Sequence, residues 1–150
     1  MATVTSSYIR TAIELLRDAE RHGTRQFILS SLADWRNHLQ YTPRGHFRRA
    51  LLLIHGGSAV PRSVRQLSIG VGISERQLQR IFRRRTGVTP KTYLRFSRFE
   101  RAFLHLHHPF RPPLSSLADQ YGYTDAAHLI REFRAFAGTT PRHLRLAAAN

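Results

Sequence analysis

A pattern of eight positions occurs twice in the sequence, and this internal repeat limits the fold more than any other feature. The first copy consists of Leu67, Gly72, Ser74, Leu78, Arg80, Phe82, Gly87 and Pro90, and the second of Leu117, Gly122, Asp125, Leu129, Arg131, Phe133, Gly138 and Pro141. From Ser74 onward the offset is constant, since 125 minus 74, 131 minus 80 and 141 minus 90 all give 51. The offset before it is 50 (122 minus 72), so the second turn contains one inserted residue. Such a repeat indicates two copies of one supersecondary unit.

Each copy has the pattern of two helices joined by a sharp turn. The first helix is predicted over 63–71 in one copy and 115–121 in the other, and each ends before a glycine, which readily adopts the left-handed backbone of such a turn. The second helix begins at an N-cap, either Ser74 in a capping box with Gln77 or Asp125, whose charge also suits the helix dipole. The sequence therefore predicts two helix-turn-helix units, in which the second helix enters the DNA major groove.

The second helix of the first unit is predicted to be amphipathic. Leu78, Ile81 and Phe82 form an apolar stripe, and Leu129 and Phe133 form the matching stripe of the second unit. Polar and mostly basic side chains remain on or near the opposite face, namely Arg76, Gln79, Arg80 and Arg83. In a helix-turn-helix unit this is the face that meets DNA.

The rest of the chain is also predicted to be helical. Apolar periodicity indicates helices over 8–21 and 27–39, and a helix over 46–55 with Thr42 as its N-cap and Pro43 in its first turn. A long helix from Thr89 to about His107 is expected to contact both units through Tyr93, Leu94, Phe96, Phe99, Phe103 and Leu106. No segment alternates as a strand does, so the predicted fold is all-α, with an N-terminal helical extension (1–43) and a bipartite helix-turn-helix domain (44–150).

The charge of the chain indicates a polyanionic partner. Lysine and arginine number 24 against 9 aspartate and glutamate, a formal net charge of +15, and Lys91 is the only lysine. The arginine guanidinium suits two-point contacts with phosphate and guanine. The chain has no cysteine, no signal-peptide pattern at its start and no apolar run of membrane-spanning length, so a soluble cytoplasmic protein is expected. No metal and no cofactor is predicted.

The repeat and its flanking residues resemble the DNA-binding domain of the AraC/XylS family. The resemblance runs from about Arg44 to Leu146 and rests on 72–82 with Gly87-Val-Thr-Pro90, and on 122–133 with Gly138-Thr-Thr-Pro141. It implies a bacterial regulator that binds double-stranded DNA as a bipartite unit and mostly activates transcription, with RNA polymerase as a candidate partner. It also implies base-edge contacts by Arg76, Gln79 and Arg80 in the first unit and by Ala126, Ala127, Ile130 and Arg131 in the second.

The sequence departs from the family pattern in two places, and its N-terminal segment is shorter than that of larger members. Ala126, Ala127 and Ile130 stand where the family often has polar side chains, so the second unit is expected to offer thymine-methyl contacts and one arginine. Ser68 stands where the second copy has Ala118, the small residue that the family prefers. Residues 1–43 are too short for the effector-binding domain of larger members. They are candidates for pairing two chains into a dimer, for capping the domain, or for the remnant of a lost sensor.

Other charged and aromatic residues have more than one interpretation. Arginines expected to contact phosphate irrespective of sequence are Arg83, Arg84, Arg85, Arg95 and Arg98. His128 either reaches a phosphate or packs within the second unit. Trp35 is interpreted as a core or helix-interface residue because it shares an apolar stripe with Leu32 and Leu39.

Other functions fit the sequence less well. The nine acidic residues are scattered, and His105, His107 and His108 have no carboxylate or cysteine nearby to complete a catalytic or metal site, so an enzyme is not expected. A relative that acts only through protein contacts would have lost the polar face of the first unit, yet that face is present. A nonspecific DNA binder is a further alternative, which affinities for random and selected duplexes would distinguish.

Overall fold

The computed structural model describes residues 45–57, 59–106 and 112–147 of the 150-residue chain. These residues form seven α-helices and no strand: α1 (His46–His55), α2 (Val64–Val71), α3 (Glu75–Thr86), α4 (Pro90–Leu106), α5 (Leu114–Tyr121), α6 (Ala126–Ala137) and α7 (Pro141–Ala147). The predicted all-α class is confirmed. The helices predicted over 8–21 and 27–39, Trp35 and the domain boundary after residue 43 lie outside the described residues. Within the described ranges, no helix is long and apolar enough to cross a membrane.

The turns inside the two units form at the predicted glycines. Gly72, at the end of α2, has a φ of 83°, and Gly122, at the end of α5, has a φ of 72°. Residues that have a Cβ rarely adopt this left-handed backbone conformation, which explains why glycine stands at both positions. The sharp turns allow α3 to pack against α2, and α6 against α5. We call α1–α3 the first unit, α5–α7 the second unit, and α3 and α6 the recognition helices.

The starts of the recognition helices are capped as predicted. Ser74 and Gln77 form a reciprocal capping box at the start of α3. The Asp125 carboxylate accepts the backbone amide of His128 at 2.6 Å at the start of α6. These bonds satisfy amides that have no partner within the helix. They fix the beginning of each recognition helix.

The bounds of α1 match the predicted 46–55, but its N-cap differs from the prediction. Gly45 occupies the N-cap position with a φ of 141°, and no side chain caps the helix. Because this backbone conformation is not helical, α1 cannot extend back through Gly45 to Pro43, and the prediction of Thr42 as the cap is wrong. The end of α1, before Gly56, agrees with the prediction.

Each unit has its own hydrophobic core, and α4 contributes to both. The first core joins α1, α2 and α3 to the beginning of α4, and its largest fully buried side chains are Leu51, Ile54, Leu67, Leu78, Phe82 and Tyr93. The second joins the remainder of α4 to α5 and α6, with Phe99, Phe103 and Phe133 fully buried. Burial of one such side chain stabilises a fold by roughly 1.5–3 kcal/mol. The predicted role of the connecting helix as a core element of both units is therefore confirmed.

Arg101 adds a polar connection between α4 and the end of α1. Its guanidinium donates to the carbonyl oxygens of Ile54 at 2.8 Å and Gly57 at 3.0 Å. The last carbonyls of a helix have no partner within the helix, so a cation at this position satisfies them. The contact fixes α1 against the helix that carries both units.

Candidate nucleic-acid interface

The outward face of α3 carries the residues predicted to contact bases. Arg76, Gln79 and Arg80 are exposed, whereas Leu78 and Phe82 are 0% exposed in the core beneath them. Helix positions three and four residues apart are neighbours on one face. The structure therefore places these three polar side chains side by side on the solvent-facing surface of the first recognition helix.

Three further arginines extend this positive surface along the last turn of α3. Arg83, Arg84 and Arg85 are all exposed. Cations at this end of a helix also interact favourably with the helix dipole. The acidic residue on α3, Glu75, lies in the first turn, so the positive charge of the helix is concentrated toward its end. This distribution offers three guanidinium groups to a polyanion without a competing carboxylate beside them on α3.

The second recognition helix presents fewer polar groups. Ala127 and Arg131 are exposed, and Ala126 and Ile130 are half-buried. Of these four side chains only that of Arg131 can form hydrogen bonds, so these positions of α6 offer a single hydrogen-bonding group for contact with bases. Arg134 is also exposed and corresponds to Arg83 of the first unit (83 plus 51), although the sequence prediction did not include it.

His128 lies half-buried next to the turn that precedes α6. Its Nδ1 accepts the backbone amide of Thr124 at 3.2 Å, and its ring meets that of Tyr123 edge to face, with centroids 5.3 Å apart. These contacts favour packing within the second unit over a phosphate contact.

The two arginines of α4 that were expected to contact phosphate differ from those of α3. Arg95 donates to both oxygens of Glu132, at 2.8 and 2.9 Å, and lies over the ring of Phe136 at 5.4 Å from its centroid. The hydrogen bonds to Glu132 raise the pKa of Arg95. Because its charge is already paired, we no longer expect Arg95 to contact phosphate. Arg98 is half-buried, burial lowers its pKa, and its Nε points to the carbonyl of Leu94 at 3.4 Å.

His105 belongs to a contact at the end of α4. Its Nδ1 lies 2.9 Å from the hydroxyl of Tyr121, and the two rings meet edge to face. His107 and His108 fall outside the described residues. In the ranges that the structure describes, no three histidine or carboxylate side chains come together as a metal-binding group.

Two buried carboxylates were not predicted. Glu132 is 8% exposed and Glu100 is 3% exposed. Glu132 corresponds to Ile81 of the first unit (81 plus 51), so a comparison of the two copies places an acid where the other copy has an apolar core contact. Glu100 carries no such signal in the sequence. Burial raises the pKa of Glu100 from 4.5 to about 7, although the charge of Arg101 acts in the opposite direction.

Known proteins share this arrangement of helices. Residues 67–147 match a family of helix-turn-helix domains, which is 81 residues (147 minus 67, plus 1) and more than half of the chain. This chain is similar to the solved structure of a transcriptional regulator from Chromobacterium violaceum. That regulator is one of the AraC-type DNA-binding domain-containing proteins. The similarity covers 70% of this chain and 93% of that one, with 26% sequence identity and a TM-score of 0.62. No curated protein matches the sequence.

Proposed function

Because this chain belongs to the AraC/XylS family of helix-turn-helix transcription regulators, we propose that it binds a specific double-stranded DNA site and activates transcription from it. Its two recognition helices enter adjacent major-groove segments. The first recognition helix supplies most of the base contacts, and the second mainly holds the backbone.

The polar face of α3 is the observation that carries this proposal. Arg76, Gln79 and Arg80 stand exposed on the face opposite the buried Leu78 and Phe82, and neither arginine has an ion-pair partner among the described residues. An arginine binds the O6 and N7 of guanine, and a glutamine binds the N6 and N7 of adenine, each through two hydrogen bonds. Such pairs discriminate between bases by about 1–3 kcal/mol each.

The length of α4 supports binding to two adjacent segments. Its 17 residues span roughly 26 Å at about 1.5 Å per residue. One turn of B-DNA is about 34 Å, which is the spacing of successive major-groove segments on one face of the duplex. Both units pack on this one helix, and its length supports the proposal that their recognition helices reach two adjacent segments.

Activation and a contact with RNA polymerase are parts of the proposal that rest on the family. The surface available for such a contact includes α7, on which Arg142 and Leu146 are exposed. A transcription assay with purified polymerase, on a promoter that carries the selected site, tests this part separately from DNA binding. Added protein should raise transcript yield, and a lower yield would make the protein a repressor.

Selection of bound duplexes from a random pool, followed by footprinting, tests the proposed binding. We expect a site with two protected major-groove segments about one helical turn apart, bound about 10³-fold or more tightly than random DNA at physiological salt. Arg49→Gln on α1, which removes an exposed arginine outside both recognition helices, should recover the same site. Selection that returns no consensus sequence would identify a nonspecific binder and contradict the proposal.

A further inference from the structure

An apolar groove of about 350 Å³ lies on the first unit, between the end of α1, the loop at 59–62 and α2. We call it the α1–α2 groove. Its apolar side chains are those of Leu53, Ala59, Val60, Pro61 and Leu67, and no acidic residue lines it. None of the side chains assigned above to DNA lies in this groove, so the proposed function does not account for it.

Leu53 and Gly70 keep the α1–α2 groove open. Leu53 is 38% exposed, and Gly70 is exposed on α2 beside it. A Cβ on Gly70 would lie 2.9 Å from the Cδ1 of Leu53, so a side chain at position 70 would occupy the groove. Glycine inside a helix is unfavourable relative to alanine, and here it leaves space next to an exposed leucine. A concave apolar surface of this kind is typical of an interaction site.

The chain just before α1 carries an apolar stripe of its own, which lies outside the described residues. The stripe predicted over 27–39 includes Ile28, Leu32, Trp35 and Leu39. An isolated helix of this length is marginally stable in water, so such a stripe needs an apolar surface to pack against. Six residues (40–45) separate the stripe from the start of α1. Connections of about 2–8 residues are usual between neighbouring helices of a bundle.

We propose that residues 27–39 of the same chain cover the α1–α2 groove, with Leu32 and Trp35 packed against Leu53. The segment then adds a layer to the core of the first unit. Both the groove and the stripe are removed from water by one contact, which is the main source of its stability. The docking needs no DNA, so it stands apart from the proposed function.

The positions along the two segments fit this arrangement. Helices joined by a short connection lie antiparallel to each other. Leu32 is seven residues before Leu39, and Leu53 is seven residues after His46 (39 minus 32 and 53 minus 46). An antiparallel pairing therefore brings Leu32 level with Leu53. Trp35 is about one turn away, and a helical side chain tilts toward the N-terminus of its helix, which in this pairing is toward the groove.

The charges near the α1–α2 groove favour this segment over a second copy of the first unit. Arg62 lines the groove, Arg49 lies one turn before Leu53 on α1, and both are exposed. No acidic residue occurs in the sequence from 35 to 74. A twofold pairing through the groove would thus bring arginines of two copies together without acidic partners, and like charges repel. Residues 27–39 contain one acidic residue and one arginine, so they are formally neutral and are not repelled.

Acrylamide quenching of the fluorescence of Trp35, the only tryptophan, tests the docking in the full chain without DNA. Quenching should be weaker in the folded wild type than in the urea-unfolded chain. Leu53→Arg places a charge in the groove and should remove most of this protection. Leu52→Arg is the matched control, because Leu52 is the adjacent exposed leucine of α1 and does not line the groove. It should protect Trp35 as the wild type does.

Gly70→Leu provides a second variant, which adds no charge. Leucine is a better helix former than glycine, and its side chain fills the space next to Leu53. Trp35 should lose its protection in this variant as well. Circular dichroism of all three variants should show the helix content of the wild type, so that a loss of protection reports undocking and not unfolding.

Three results would contradict docking within the chain. Equal quenching of Trp35 in the folded and unfolded wild type would show that the segment is not docked. Protection that persists in both Leu53→Arg and Gly70→Leu would place Trp35 against another surface. Protection that falls on dilution, together with a dimer in sedimentation, would make the occupant of the groove the same segment of a second copy.

Discussion

Arg95 on α4 and Glu132 on α6 form a two-point ion pair, in which Nε donates to Oε2 at 2.9 Å and Nη2 donates to Oε1 at 2.8 Å. The Glu132 side chain is 10% exposed and that of Arg95 is 38% exposed. The planar guanidinium matches the carboxylate in this geometry and restricts its orientation. The pair therefore fixes the second recognition helix against the connecting helix.

Loss of Arg95 should destabilise the fold more than loss of an exposed arginine. Arg95→Met leaves the Glu132 carboxylate buried without its partner, and we expect a loss of about 2 kcal/mol, below the value for fully buried pairs because Arg95 is partly exposed. Urea unfolding measures the change. Arg84→Met on the exposed surface of α3 should lower the free energy of unfolding by less than about 0.5 kcal/mol. The double variant Arg95→Met/Glu132→Met should recover part of the stability that Arg95→Met loses. Equal stability of Arg95→Met and wild type would contradict a structural role for the pair.

DNA affinity should fall steeply with salt, because arginines that neutralise phosphates release bound counterions. Arg84→Gln should weaken binding to all duplexes alike and reduce the slope of log affinity against log salt by about 0.9, the value for one phosphate contact. Arg95→Met should leave the slope unchanged, because its charge is already paired with Glu132. Fluorescence anisotropy at several salt concentrations provides the slopes. An affinity that hardly varies with salt would contradict phosphate binding by this surface.

The sequence predicted the helices well because their signals are local. Ser74 and Asp125 were recognised as caps, and Gly72 and Gly122 as turns, from the residues within three or four positions of each. The N-cap of α1 was assigned incorrectly because Thr42-Pro43 is a strong local signal, whereas Gly45, with its nonhelical backbone, occupies the N-cap position.

Long-range contacts were not predictable in the same way. Arg95 and Glu132 are 37 residues apart, and the hydrogen bond from Arg101 to Ile54 spans 47. Spacing along one helix contains no information on which arginine meets a carboxylate of another helix. Arg95 was therefore grouped with the arginines of α3, although its charge is used within the fold.

Glu100 should make the wild type less stable as the pH rises. Burial raises the pKa of its carboxyl from 4.5 to about 7, and its Oε1 has no hydrogen-bond partner in the described ranges. The unfolded chain loses this proton near pH 4.5, whereas the folded chain keeps it up to about pH 7. The free energy of unfolding therefore falls as the pH rises from 4.5 through 7. Glu100→Gln does not titrate, and its stability relative to wild type should increase by on the order of 3 kcal/mol over this range.

Unfolding of both proteins in urea at several pH values measures this difference. His55, whose pKa burial lowers from 6.5 to about 4, produces the opposite trend, since its contribution is lost as the pH falls. It is present in both proteins and cancels in the comparison. A stability difference that stays constant from pH 4.5 to 8 would show that Glu100 titrates normally.

The protein should bind one selected site as a single chain. Both recognition helices belong to one polypeptide, so no twofold partner is needed to reach two major-groove segments. Sedimentation of the protein with a single-site duplex should give one chain per duplex. Two chains per duplex, together with loss of binding when residues 1–43 are deleted, would instead assign a dimer to that segment.

The most direct test of whether α3 recognises the DNA sequence is a substitution scan of every base pair in the selected site. The scan compares wild type with Arg80→Ala and Arg131→Ala. Arg80→Ala should remove about 1–3 kcal/mol of discrimination at one or two base pairs of the first half-site. Arg131→Ala should weaken binding with a smaller change in base preference, because Ala127 and Ile130 beside it offer no side-chain hydrogen bonds. A more constrained half-site under α6, or an unchanged base preference in Arg80→Ala, would contradict the assignment of α3 as the main contact with the bases.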